Sequence, residues 1–181
     1  MNIIPDLIDE LKLNAISWHP NGIKLSSGLE SNYYVDTSQA LGYGPNLVNA
    51  ARAILYVADQ IGLKYNHVGG LTMGADALAH AIAMQTDRFW FSVRKEPKGE
   101  NGTDWFDGVV PGEGDNVLIV DDVVTTGNSI AKAVNAVFKS RVVGIIPLVD
   151  RGMIARKKFA HLVYEPVITW KSLDIPPIKE N

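Results

Sequence analysis

VLIVDDVVTTGNSIAKAV, residues 117–134, runs from an unbroken apolar segment through two adjacent aspartates and a Thr-Thr-Gly-Asn-Ser turn into a helical pattern. The run Val117–Val120 and its counterpart VVGIIPLV at 142–149 are continuous, largely β-branched and free of polar alternation. Such strands suit a sheet covered on both faces, as in parallel α/β proteins. The pattern extends in both directions. Strands are expected at 67–71, 89–94, 116–121 and 142–150, separated by helices at 75–85 and 128–139 and by a long polar loop at 95–108. Upstream, 5–17 reads as a helix with Pro5 in its first turn, Tyr33–Val35 as a strand, and 45–61 as a helix opened by Pro45 and closed by Gly62. The expectation is α/β, a mainly parallel sheet with helices on both faces, forming a single domain over 1–181.

Whole-chain properties exclude several classes. At 181 residues and 46% hydrophobic content the chain can bury one core. Its net charge of -3 and scattered basic residues lack the footprint of a nucleic-acid binder. With no cysteine, disulfides and thiolate chemistry drop out, and MNIIPDLIDEL carries no signal-peptide pattern, so a cytoplasmic setting is expected. No apolar stretch approaches the roughly 18 residues that span a bilayer, so no membrane partner is expected.

Ligands of open parallel sheets bind beyond the carboxyl ends of the strands, which directs Asp121 and Asp122 toward a crevice. Behind them, the N–H groups at a helix start, the hydroxyls of Thr125, Thr126 and Ser129, and the flexible Gly127 can surround an anion. The turn is not a Walker loop, since no Gly-Lys-Ser/Thr follows, and it lacks the three-glycine dinucleotide spacing. Adjacent carboxylates above a phosphate cradle suit a ligand carrying both a phosphate and a diol. The plainer alternative is an acidic strand end followed by a helix cap.

Residues 117–129 resemble the phosphoribosyl pyrophosphate (PRPP) motif of type I phosphoribosyltransferases. Three further segments, LSSGLESNYYVD at 25–36, GLTMGAD at 70–76 and VRKEPK at 93–98, are similar to those of orotate phosphoribosyltransferases and occur in the same order. With LVDR at 148–151 the resemblance spans about residues 22–151 and is loose beyond 152. It implies the type I fold with a small hood from the N- and C-terminal segments. It also implies transfer of the phosphoribosyl group of PRPP to orotate, giving orotidine 5-phosphate and pyrophosphate in pyrimidine synthesis. The site residues follow from the same resemblance. Asp121 and Asp122 would hold the ribose hydroxyls, and Thr125, Thr126, Gly127, Asn128 and Ser129 the 5-phosphate, with Val123 and Val124 between them also in the PRPP-binding stretch. Ser26, Tyr33, Tyr34, Thr125 and Arg151 would contact orotate, with the Arg151 fork suited to its planar carboxylate. Arg94, Lys95 and Lys98 would close over pyrophosphate, Lys98 and Arg94 acting with the acid pair in catalysis. Magnesium would accompany the diphosphate, with no metal site made by the protein itself. A homodimer sharing its lids between subunits is implied as well.

One departure stands out. The resemblance places His and Gly at loop positions 100 and 101, where this chain has Glu100 and Asn101. Between 94 and 107, Arg94, Lys95 and Lys98 face Glu96, Glu100, Asp104 and Asp107, a net negative lid that is unfavourable over pyrophosphate. A PRPP-binding regulatory module with weak or no catalysis, or transfer to another base, therefore stay open beside the orotate reading. His19, His67, His80 and His161 show no metal-ligand spacing and are expected to be structural or exposed.

Overall fold

The computed structural model describes residues 3–98 and 104–179. In chain order the elements are α1 (Ile3–Asn14), β1 (Ile16–Lys24), β2 (Glu30–Val35), α2 (Thr37–Leu41), α3 (Gly44–Gln60), β3 (His67–Leu71) and α4 (Asp76–Gln85). There follow β4 (Phe89–Lys98), β5 (Asp104–Gly108), β6 (Asn116–Val124), α5 (Asn128–Ala136), β7 (Arg141–Asp150), α6 (Ile154–Lys158) and β8 (Ile168–Thr169).

Six strands make one sheet in the order β5-β4-β3-β6-β7-β8, parallel throughout except for the antiparallel edge pair β4–β5. The central strands are buried on both faces, as their continuous apolar sequences require. One face packs α1, α3 and α4 through Leu11, Ile54, Leu78 and Ile82. The other packs α5 and α6 through Ile130, Ala133, Ala155 and Phe159.

β1 and β2 pair antiparallel as a separate ribbon that, with α1 and α2, forms the hood. The C-terminal segment joins it: Lys12 Nζ and Asp174 Oδ2 lie 2.6 Å apart, and the Ile178 N–H donates to the Arg151 carbonyl at 2.7 Å. No helix among the described residues is long and apolar enough to cross a membrane.

Several boundaries differ from the sequence reading. The first helix stops at Asn14, because Ile16 pairs with Val35 in the ribbon and its helical spacing from Leu11 is coincidental. Where it is described, at 95–98 and 104–108, the polar loop expected at 95–108 is strand. β4 continues to Lys98, and Asp104–Gly108 returns alongside it, with the Phe106 ring 6.2 Å from that of Phe91. Charged residues on the exposed side of this edge ribbon hid its period of two. The helix expected at 128–139 ends at Ala136, where the Val137 N–H bonds back to Ala133.

Candidate active site

β6 runs past the acid pair to Val124, and the turn behind it enters α5 through Gly127, whose φ of 74° lies in the left-handed region. A β-carbon there would also come within 2.7 Å of the Phe159 ring, so this turn needs glycine on two counts. Around it opens a cavity of about 760 Å³ lined by Ser26, Ser27, Leu71, Lys95, Glu96, Asp121, Val123, Val124, Thr125, Thr126, Gly127, Asn128, Ser129 and Lys132. A second cavity of about 160 Å³ adjoins it through Ser26, Val123 and Thr125, and adds Leu25, Tyr34, Val35, Asp36, Asp122 and Arg151.

The two acids differ. Asp121 is buried whereas Asp122 is half-buried, so the pair does not simply face solvent together. Burial, and after it the neighbouring Asp122 charge, push the Asp121 carboxyl well above the usual range; the Asp122 N–H donated to it at 3.1 Å and the Lys95 charge pull the other way. Asp122 accepts from the Val123 N–H at 2.7 Å and from the Thr37 hydroxyl at 3.0 Å. Gly74, in the turn after β3, passes so close to both carboxylates that any β-carbon there would collide with them.

Arg151, at the end of β7, is 1% exposed. Its Nη1 donates to the Tyr33 carbonyl at 3.2 Å and its Nη2 to the Ser31 hydroxyl at 3.5 Å, while its buried Nε has no partner among the described residues. Among the described residues no carboxylate contacts it, and burial lowers its pKa to about 10. A buried cation whose described partners are neutral oxygens, set at the wall of a cavity, suits an anionic ligand group.

Of the residues singled out in the sequence, Ser26, Tyr34, Lys95, Asp121 to Ser129 and Arg151 line one cavity or both. Tyr33 turns its ring toward the apolar core and offers Arg151 its carbonyl. Arg94 is paired with Asp107 across the β4–β5 ribbon, and Lys98 lies exposed opposite Asp104; neither lines either of these two cavities. Glu100 and Asn101 fall outside the described residues. His67 is buried, His19 hydrogen-bonds Ser17, and the exposed His80 meets Trp90 edge-on.

No family model matches the chain. Curated relatives do. The orotate phosphoribosyltransferase of Pyrococcus furiosus is 39% identical over 130 residues, 70% of either chain, and that of Aquifex aeolicus is 40% identical over 138 residues, 71% of this chain and 72% of the other.

The chain belongs to the orotate phosphoribosyltransferase family.

The fold agrees along nearly the whole length. The Mycobacterium tuberculosis orotate phosphoribosyltransferase in complex with PRPP superposes with a TM-score of 0.77 at 30% identity, covering 96% of this chain and 99% of that one. Within this family framework the structure brings to the site several residues that sequence reasoning passed over. Thr37 and Gly74 touch the acid pair. Lys132 lines the larger cavity, and Lys158 Nζ donates to Asn128 Oδ1 at 2.7 Å. Lys132 follows Ser129 by three positions on a helix, a spacing that could have flagged it. Gly74 lies within the GLTMGAD segment quoted above, whereas Thr37 and Lys158 come from distant segments with no local signal.

Proposed function

We propose that this chain transfers the phosphoribosyl group of PRPP to orotate, with the 5-phosphate on the 125–129 turn, the ribose diol at Asp121 and Asp122, and the base in the smaller cavity. The observation that carries the assignment of the base is Arg151. Its buried guanidinium has no carboxylate partner in the described structure, and the orotate carboxylate would supply one.

Displacement at the anomeric carbon through an oxocarbenium-like state calls for alignment, charge stabilisation and exclusion of water rather than a covalent nucleophile. Arg151 and the Tyr34–Asp36 segment would orient the ring, Thr125 standing where both cavities meet. The acid pair would hold the ribose and add negative charge near the developing cation. Lys95, with Arg94 and Lys98 drawn in from the ribbon, would receive the departing pyrophosphate.

Among the described residues no cluster of three or more His, Cys, Asp or Glu could hold a metal. The carboxylates of Asp121 and Asp122 beside a diphosphate nevertheless suit magnesium, which binds through one or two carboxylates plus substrate phosphates. When bound, the ion would neutralise charge on pyrophosphate. A homodimer in which the ribbon of one subunit reaches its partner's site completes the reading.

The test is Arg151→Gln. The KM for orotate should rise at least a hundredfold while PRPP affinity, measured by calorimetry, changes less than threefold. Unchanged orotate kinetics would remove Arg151 from the base site.

A further inference from the structure

Among the described residues, the side-chain hydrogen bond from the hood to the acid pair comes from Thr37. The strand β2, whose Tyr34 and Val35 wall the smaller cavity, ends at Val35, and α2 begins at Thr37 after the single residue Asp36. Asp36 caps that helix itself, its Oδ1 accepting from the Ser38 N–H at 3.0 Å and the Ser38 hydroxyl at 2.5 Å. The Thr37 hydroxyl is therefore not needed for capping. It points inward instead: Thr37 is 1% exposed, and its Oγ1 donates to Asp122 Oδ2 at 3.0 Å, across 85 residues of sequence.

Asp122 Oδ1 is held from the opposite side by the Val123 N–H, and the close approach of Gly74 limits the carboxylate there. The terminal torsion of an aspartate is intrinsically broad, so a carboxylate that must meet two neighbouring hydroxyls gains from being fixed beforehand. A donor on one oxygen and a second on the other fix its plane, and each oxygen keeps a lone pair for a ligand.

We propose that Thr37 is a positioning residue: its hydroxyl orients Asp122 for the ribose diol and ties the strand that walls the base cavity to the acid that holds the sugar. The inference rests on the ribose role given to Asp122 above. Thr37 lines neither cavity and acts only through that carboxylate.

The variants are Thr37→Val, which keeps the β-branch and removes the hydroxyl, and Thr37→Ser, which keeps the hydroxyl. Thr37→Ala serves in place of valine if the latter does not fold. PRPP affinity is measured by calorimetry without orotate, so the result does not depend on turnover, and KM values for both substrates are measured alongside melting temperature. Losing a hydrogen bond to a charged group predicts PRPP binding weaker by about tenfold in Thr37→Val. The KM for orotate should stay within twofold, and Thr37→Ser should recover PRPP binding to within twofold of the parent. On an Asp122→Asn background the valine change should add less than twofold, since the interaction it removes is already damaged.

Equal PRPP affinity in Thr37→Val and the parent overturns the inference. So does an equal loss in Thr37→Val and Thr37→Ser, or a full, independent loss on the Asp122→Asn background. Parent protein that binds PRPP but consumes no orotate would refute the orotate reading while leaving this inference standing. Parent protein that binds no PRPP would refute both.

Discussion

Lys158 in α6 donates a hydrogen bond from Nζ to Asn128 Oδ1 over 2.7 Å, fastening the segment that follows β7 to the turn at the head of α5. Ala155 and Phe159 press on Gly127 from the same side. The residues beyond 152, where the resemblance to the family is loose, thus brace the part of the site that resembles it most closely. Lys132, unlike Lys158, lines the larger cavity itself.

If these lysines supply charge to a 5-phosphate, Lys132→Met should raise the KM for PRPP about three- to tenfold, and Lys158→Met about twofold, since Lys132 lines the cavity and Lys158 does not. Both effects should shrink as ionic strength rises from about 0.05 to 0.5 M, because exposed charges are screened over a few ångströms at high salt. Steady-state kinetics at two salt concentrations reads this directly; salt-independent losses would point to packing instead.

Gly127→Ala should destabilise the fold as well as the site. The left-handed φ alone costs about 1–3 kcal/mol in a non-glycine residue, and the added methyl meets Phe159. A melting temperature lower by about 4–8 °C is expected for a loss near 2 kcal/mol in a chain of this size. Phe159→Ala introduced into Gly127→Ala should leave the φ penalty in place and relieve only the contact.

Asp121→Asn should stabilise the protein at neutral pH while weakening PRPP. The sign follows from the raised pKa. The folded state disfavours the ionised carboxylate relative to the unfolded chain, so this group's contribution is fully favourable below its unfolded pKa and is lost as pH rises through its folded value. Asparagine removes both the desolvation of a charge and the repulsion from Asp122. Thermal melts across pH should show the variant ahead at pH 7–8 and the gap narrowing toward pH 4. PRPP binding by the parent should weaken toward acid pH as Asp121 takes up its proton. A variant less stable than the parent at pH 7 would mean that Asp121 has a structural partner outweighing its burial.

The edge ribbon carries the charge imbalance seen in the sequence. Asp107 engages Arg94, so Asp107→Asn should free that cation and lower the KM for PRPP about two- to fivefold. Glu100→His acts on the same lid, at a position outside the described residues. It should raise kcat by less than the order of 10² that a single well-placed donor can supply. Glu100→Gln separates removal of repulsion from gain of a donor.

The parallel core and the phosphate turn were legible because their determinants are local. Val117–Val120 and Val142–Val149 are apolar without a break, and Thr125–Ser129 is a turn and helix start written in five consecutive residues. β5 was missed because Asp104–Gly108 is a strand only by virtue of pairing with β4, which a reading of polarity cannot see. The two-residue β8 exists only as an addition to the sheet edge beside β7. Asp121 looked like an exposed crevice acid because its burial depends on segments far away in sequence. Thr37 and Lys158 reach the site over separations of 85 and 30 residues, and nothing beside them in the chain announces it. Only the Asp36–Ser38 spacing, a recognisable helix cap, could have shown that a helix starts at Thr37.

The central claim is tested most directly by the ultraviolet absorbance of orotate, followed with purified protein, PRPP and magnesium, and with pyrophosphate release measured in parallel for orotate, uracil, adenine and hypoxanthine. Orotate should be consumed in step with pyrophosphate formation, and at least a hundredfold faster than any base lacking the carboxylate that Arg151 would bind. PRPP binding without consumption of orotate, or turnover of an uncharged base at an equal or greater rate, would contradict the account.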